Sequence, residues 1–214
     1  SWQEFIETAR LVTVRNSAGQ IQTAGAAMGA TANVDFWPEI LGTLFLQQPA
    51  GSLAAPANKD GAEVLQFYTG FVIDPRIKTW DVILPSSTQM FAEGKLAFYF
   101  APASQALVLQ TESPDLHFKT TPVPQLPGKK VSYGSFWAMA ISGRSPYPKE
   151  AWEFAKYLAS AESFQTISQQ QAQNQQFIRP YPRVDMASLQ SVDPILGAFI
   201  TQAPYYKSWY LNSG

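Results

Sequence analysis

Apolar positions at the start of the chain fall at helical spacing: Trp2, Phe5, Ile6, Ala9 and Val12 share one side of a segment that opens on Ser1-Trp-Gln-Glu4. A hydroxyl followed three positions later by a glutamate can satisfy two free amides of a first helical turn, so the pattern predicts a helix to about Arg15. A turn over 16–19 leads to a strand over 21–28, whose alanines and glycines imply close approach of a neighbouring backbone. Residues 35–48 read as a helix with Pro38 in its first turn and Ile40, Leu41, Leu44 and Phe45 on one face. Residues 59–73 repeat the pattern with Val64, Leu65, Tyr68, Phe71 and Val72, and stop before Asp74-Pro75.

Beyond the loop carrying Trp80 the signals shorten. Short helices are predicted over 88–93 and 104–110, and strands over 96–101, 118–123 and 136–142. The amphipathic helix over 148–160 is the clearest of all, with Ala151, Phe154, Ala155 and Leu158 on its inner face. Seven glutamines between Gln165 and Gln176 read as the solvated face of a helix interrupted by Phe164 and Ile167. Residues 179–184 form a proline-broken loop, and a short helix over 194–201 precedes an aromatic and proline-rich end. Strands alternating with helices indicate an α/β fold.

Composition narrows the function. Fifteen basic side chains nearly cancel sixteen acidic ones, so nothing in the charge balance attracts nucleic acid or anionic lipid. No cysteine is present, which excludes a disulfide scaffold, thiolate metal sites and cysteine catalysis. His117 is the only histidine, leaving little from which to assemble a multi-histidine metal site or a Ser-His-Asp set. Gly94-Lys95 lacks the glycine loop and following hydroxyl of a phosphate cradle. Asp35, Asp74, Asp81 and Glu93 sit near loops and could pair as glycosidase carboxylates, but caps and turn formers are the simpler reading of each.

Aromatic residues stand on or beside predicted loops: Phe36, Trp37, Trp80, Tyr99, Tyr133, Phe136, Trp137, Tyr205, Tyr206, Trp209 and Tyr210. Flat apolar faces beside polar groups suit sugar rings, whose C–H faces need apolar cover while their hydroxyls need partners. Core packing is the competing reading for each ring.

Five segments then occur in a fixed order: Ser1-Trp-Gln-Glu-Phe, Met90-Phe-Ala-Glu-Gly-Lys-Leu-Ala-Phe, the Pro-Val-Pro-Gln-Leu-Pro run at 122–127, Tyr133-Gly-Ser-Phe-Trp-Ala-Met-Ala-Ile-Ser and Lys149-Glu-Ala-Trp-Glu-Phe-Ala-Lys-Tyr-Leu. In that order and spacing, over about 160 residues, the chain resembles the family 1 extracellular solute-binding proteins, the maltose-binding-protein-like components of ABC importers. The resemblance implies a periplasmic-binding-protein-like (type II) α/β clamshell, of which this chain carries the second part. Residues 1–133 would form most of the carboxy-terminal lobe, 134–177 would cross the hinge and belong to the amino-terminal lobe, and 178–214 would return. The rest of the amino-terminal lobe should precede Ser1.

The same resemblance implies a non-catalytic receptor for a carbohydrate or related polar solute, with no cofactor and no metal. Its expected partners are the ligand, the membrane subunits of an ABC permease and the missing lobe, and nucleic acid is not among them. The expected location is extracytoplasmic, either periplasmic or as a cell-surface lipoprotein, with the signal segment outside this chain. Trp137 matches the aromatic of the hinge-strand motif that lies against bound sugar. Asn33 falls in the segment that lines the cleft, with Phe36 and Trp37 just beyond it. Ser104, after Tyr99-Phe-Ala-Pro102, stands where related sugar binders carry a tryptophan, which puts a maltodextrin ligand in doubt; Trp209 falls near a late stacking aromatic. The alternatives left open are an adhesion or structural module that kept the fold, and a glycosidase using loop carboxylates.

Overall fold

The computed structural model describes residues 1–49, 55–136, 138–173 and 179–208, apart from the side chain of Leu107. The first helix, α1 (Trp2–Val12), is closed at its start by the expected capping box: the Glu4 amide donates to Ser1 Oγ at 3.3 Å, and Glu4 Oε2 accepts from the Ser1 amino group at 2.8 Å. It ends three residues earlier than its apolar periodicity predicts. Thr13 adopts an extended conformation and its hydroxyl donates to the Ala9 carbonyl at 2.7 Å, closing the helix, while Val14 begins strand β1 (Val14–Arg15). The β-branched run Val12-Thr13-Val14 favours that change of conformation.

The hairpin at 16–19 turns on Gly19, at φ +78°, and delivers β2 (Ile21–Ala26). β2 is the middle strand of a three-stranded sheet, antiparallel to β1 (Val14↔Thr23) and parallel to β3 (Leu96–Phe98) in the register Ala24↔Leu96 and Ala26↔Phe98. Its small residues have the role expected of them: a Cβ on Gly25 would run into the Ala9 carbonyl, so α1 lies directly on the strand. Trp2, Phe5 and Ala9 are buried there, and Phe5 meets Phe98 and Phe100 at ring separations of 5.1 and 5.5 Å.

The other helices are α2 (Trp37–Gln47), α3 (Lys59–Ile73), α4 (Ser87–Ala92), α5 (Ala103–Glu112), α6 (Pro148–Leu158), α7 (Ala161–Gln173) and α8 (Gly197–Gln202). α2 and α3 pack on one another and add Ile40, Leu44, Phe45, Val64, Tyr68 and Phe71 to the core, which also encloses Trp80. Buried Gln47 ties three pieces together: its Oε1 accepts from Trp2 Nε1 and from the Leu126 amide, each at 2.9 Å, and its Nε2 donates to the Pro124 carbonyl at 3.0 Å.

Two expected strands are not formed. Residues 118–123 are irregular, and glutamine side chains take the place of a ladder: the Val123 amide donates to Gln202 Oε1 at 3.0 Å, and Thr120 Oγ1 donates to the Ile195 carbonyl at 2.6 Å. Pro122, Pro124 and Pro127 cannot donate, which denies a neighbouring strand its partners. The described residues of 136–142 are also not paired as a strand, and Phe136 is 78% exposed. What forms instead is a short parallel pair, β4 (Ser132–Tyr133) with β5 (Tyr206–Lys207). Gln202 Oε1 also accepts from Ser132 Oγ at 3.0 Å, so residues 120–133 and 195–207 are bound to each other.

α6 and α7 pack together, and Arg183 Nη1 reaches back to the Ala159 carbonyl at 3.0 Å. None of α6 is buried; Phe154 is 62% exposed and Met139, beside it, 58%.

Candidate ligand-binding site

A row of four half-buried rings runs along one side of the sheet's carboxyl end. Phe118 meets Phe91 edge-on at 6.0 Å, Phe91 stacks on Tyr99 at 5.0 Å with 26° between planes, and Phe36 meets Tyr99 edge-on at 6.0 Å. Local structure sets each ring. Tyr99 follows β3 directly, Phe91 lies in the last turn of α4, and Phe36 is the residue before α2, whose first turn Pro38 fixes.

The loop over 33–35 that carries Phe36 into place is pinned to the start of α4. The Ser87 amide donates to the Asn33 carbonyl at 2.8 Å and the Asp35 amide to Ser87 Oγ at 3.0 Å. Asp35 Oδ2 accepts from Ser87 Oγ at 3.0 Å, from the Thr88 amide at 2.8 Å and from Thr88 Oγ1 at 2.6 Å. Partial burial works to raise the Asp35 pKa, but the Thr88 and Ser87 donors outweigh it and hold the carboxyl below its ordinary range. The Tyr99 hydroxyl lies 2.6 Å from Thr88 Oγ1, and burial pushes its pKa up to about 12, so it stays protonated at neutral pH.

Asn33 is committed to its own loop. Its Nδ2 donates to the Asp81 and Leu84 carbonyls at 3.0 and 2.9 Å, and its Oδ1 accepts from Trp80 Nε1 at 3.0 Å. Phe36 and Tyr99 stand together in the ring row, and Tyr99, like Phe91 and Trp37, also packs against the core. Ser104 is exposed, in the first turn of α5. Trp137 and Trp209 lie outside the described residues. Asp35 and Thr88 join the site only in three dimensions; a capping aspartate and a hydroxyl fifty-three positions apart carry no shared signal in the sequence.

The other loop carboxylates are engaged locally: Asp74 with Arg76 and Asp81 with Lys78, both at 2.7 Å, and Glu93 with Lys95 at 2.8 Å. Among the described residues no group of three or more His, Cys, Asp or Glu is placed to hold a metal. Two concavities lie away from the ring row. One, of about 500 Å³, is bounded by Arg10, Arg15 and Lys78; the other, of about 410 Å³, is lined by Met139, Ile141, Phe154 and Leu158. No aromatic ring lines the first; the second sets Phe154 beside Ser142 and Ser145, whose hydroxyls accept from the Arg144 and Tyr147 amides.

Four rings in contact, with the Asp35, Thr88 and Tyr99 oxygens beside them, are what the fold brings together around Phe36 and Tyr99. The chain belongs to the bacterial extracellular solute-binding proteins, whose family model matches residues 1–174. Among solved structures it is similar in fold to the Thermus thermophilus maltotriose binding protein, solved with maltotriose bound: the TM-score is 0.60 at 19% identity, over 98% of this chain and 55% of that one. The chain therefore spans about half the length of that protein and has a partial type II binding-protein fold. No curated protein matches it.

Proposed function

We propose that the whole protein is the extracytoplasmic receptor of an ABC-type importer and binds a carbohydrate against the wall formed by Phe36, Tyr99, Phe91 and Phe118. The observation that carries this reading is the row itself: half-buried rings in contact, with the Asp35, Thr88 and Tyr99 oxygens along one edge. Rings of this kind cover the C–H face of a sugar while the edge takes its hydroxyls. The maltotriose held by the similarly folded protein is consistent with such a ligand.

In this reading the wall is one side of a cleft. Residues 1–133 belong to the carboxy-terminal lobe, and 134–177 cross to the amino-terminal lobe. The chain then returns, a path supported by the bonds between 120–133 and 195–207 and by the bare apolar face of α6. Trp137 stacks on ligand from the hinge, and Trp209 and Ser104 border the cleft. Asn33 holds the loop that presents Phe36.

The test is a panel of neutral mono- and oligosaccharides, polyols, amino acids and peptides added to the full-length protein, followed by melting temperature and tryptophan fluorescence. A ligand present at about 100 times its Kd stabilises the folded state by about 2.7 kcal/mol, a readily measured shift. At least one carbohydrate should produce it. A response confined to amino acids or peptides overturns the carbohydrate reading, and release of shortened products from an oligosaccharide overturns the receptor reading.

A further inference from the structure

Hydrogen positions along the edge of the ring row follow from the partners. An ionised carboxylate only accepts, so the single proton of Thr88 Oγ1 points at Asp35 Oδ2, 2.6 Å away. Thr88 Oγ1 therefore cannot also donate to Tyr99, and the 2.6 Å contact between the two hydroxyls must be made by the Tyr99 proton. Protons thus run one way, from Tyr99 to Thr88 to Asp35. The Ser87 hydroxyl and the Thr88 amide spend their hydrogens on the same carboxylate oxygen. What remains to face a ligand is a lone pair on Tyr99 Oη and the accepting capacity that Asp35 keeps beyond the Ser86 hydroxyl, which also donates to this carboxylate. Both are acceptors. No salt bridge among the described residues neutralises Asp35, and the low Asp35 pKa keeps the negative charge in place at neutral pH.

We infer that this edge reads its ligand solely as a hydrogen-bond donor, so that the site takes neutral, hydroxyl-rich sugars and rejects acidic ones such as uronates. The inference rests on the carbohydrate reading above. A neutral sugar gives its hydroxyl protons to the Asp35 carboxylate and Tyr99 Oη. A uronate brings a second carboxylate, with no proton to give, against a fixed one, and like charges in a partly desolvated site cost far more than one missing bond. Thr88 is the positioning residue, since its hydroxyl sets the direction of both protons.

Calorimetry on the full-length protein, with neutral and uronate oligosaccharides of matched length such as malto- and galacturono-trimers, tests this. The neutral series should bind at least about 10-fold more tightly than the uronate series. In Asp35→Asn the amide can keep its oxygen on the Thr88 donors and turn Nδ2 outward, so the gap should close to within about 3-fold. Should that variant fold poorly, Thr88→Val releases the Tyr99 proton toward the ligand and should narrow the gap, while Thr88→Ser, which keeps the hydroxyl, should preserve it. Equal affinity for neutral and uronate ligands in the native protein overturns the inference and leaves the carbohydrate reading standing, as does a gap unchanged in both Asp35→Asn and Thr88→Val. Binding of no sugar at all overturns both.

Discussion

Replacing Asn33 with alanine separates a loop anchor from a ligand contact. The substitution removes three bonds, to Trp80 Nε1, the Asp81 carbonyl and the Leu84 carbonyl. Trp80 is 0% exposed, so its indole N–H is left without a partner, at about 1–3 kcal/mol. Asp81 and Leu84 are half-buried, and their carbonyls can turn to water, which limits each loss to about 0.5–1 kcal/mol. The expected destabilisation is about 2–5 kcal/mol, a large part of the ~5–15 kcal/mol typical of a domain. Urea unfolding followed by far-UV circular dichroism measures it, and calorimetry on the folded fraction measures affinity. Because Asn33 holds the loop behind Phe36, binding should weaken only modestly in molecules that stay folded. A stability loss below about 1 kcal/mol together with a 10-fold or greater loss of affinity would show that the amide spends its bonds on ligand, against the geometry argued here.

Gln47→Leu keeps the volume of a fully buried side chain but strands the Trp2 indole N–H, the Leu126 amide and the Pro124 carbonyl; it should cost about 3–5 kcal/mol in the same urea assay, and a near-neutral effect would mean water replaces the amide. Asp74 is held at about pKa 2 by its bonds to Arg76, so its contribution to stability is complete above the unfolded value of about 4 and disappears as pH falls through 2. Melting curves of Asp74→Asn and the native protein should therefore differ at pH 6 and converge near pH 2; a difference persisting at pH 2 would contradict the assignment. The apolar face of α6, with Phe154 and Met139 beside a concavity of about 410 Å³, should make the 214-residue chain on its own bind a hydrophobic dye or self-associate, and Phe154→Ser should reduce either signal. A dye-silent monomer would mean that this face is covered within the chain.

Helices that bury one face were legible in the chain, because their signal is local and repeats: α3 occupies the residues that its apolar spacing marks, and α2 lies within its predicted span with Pro38 in the first turn. Strands were less so, because a strand exists only beside another. Residues 118–123 have the composition of a strand but find glutamine side chains, and β4 pairs with β5 across more than seventy positions in segments too short to show alternation. The end of α1 was missed because Val12 continues the apolar periodicity while Thr13, one step on, closes the helix with its hydroxyl. The site divides in the same way. Phe36 and Tyr99 announce themselves as aromatics beside loops, whereas the Asp35–Thr88 clamp exists only once the loop over 33–35 folds onto α4.

Whether the ring row holds a carbohydrate is decided by calorimetric titration of the best-binding sugar into the full-length protein and into Phe36→Ala. Phe36 is half-buried and edges Tyr99 at 6.0 Å without belonging to the core, so its removal should leave the fold intact. Loss of an aromatic face from the ligand should weaken binding by about 1–3 kcal/mol, or about 5- to 150-fold. An affinity within about 2-fold of the native protein, with the melting temperature unchanged, would place the ligand away from the ring row.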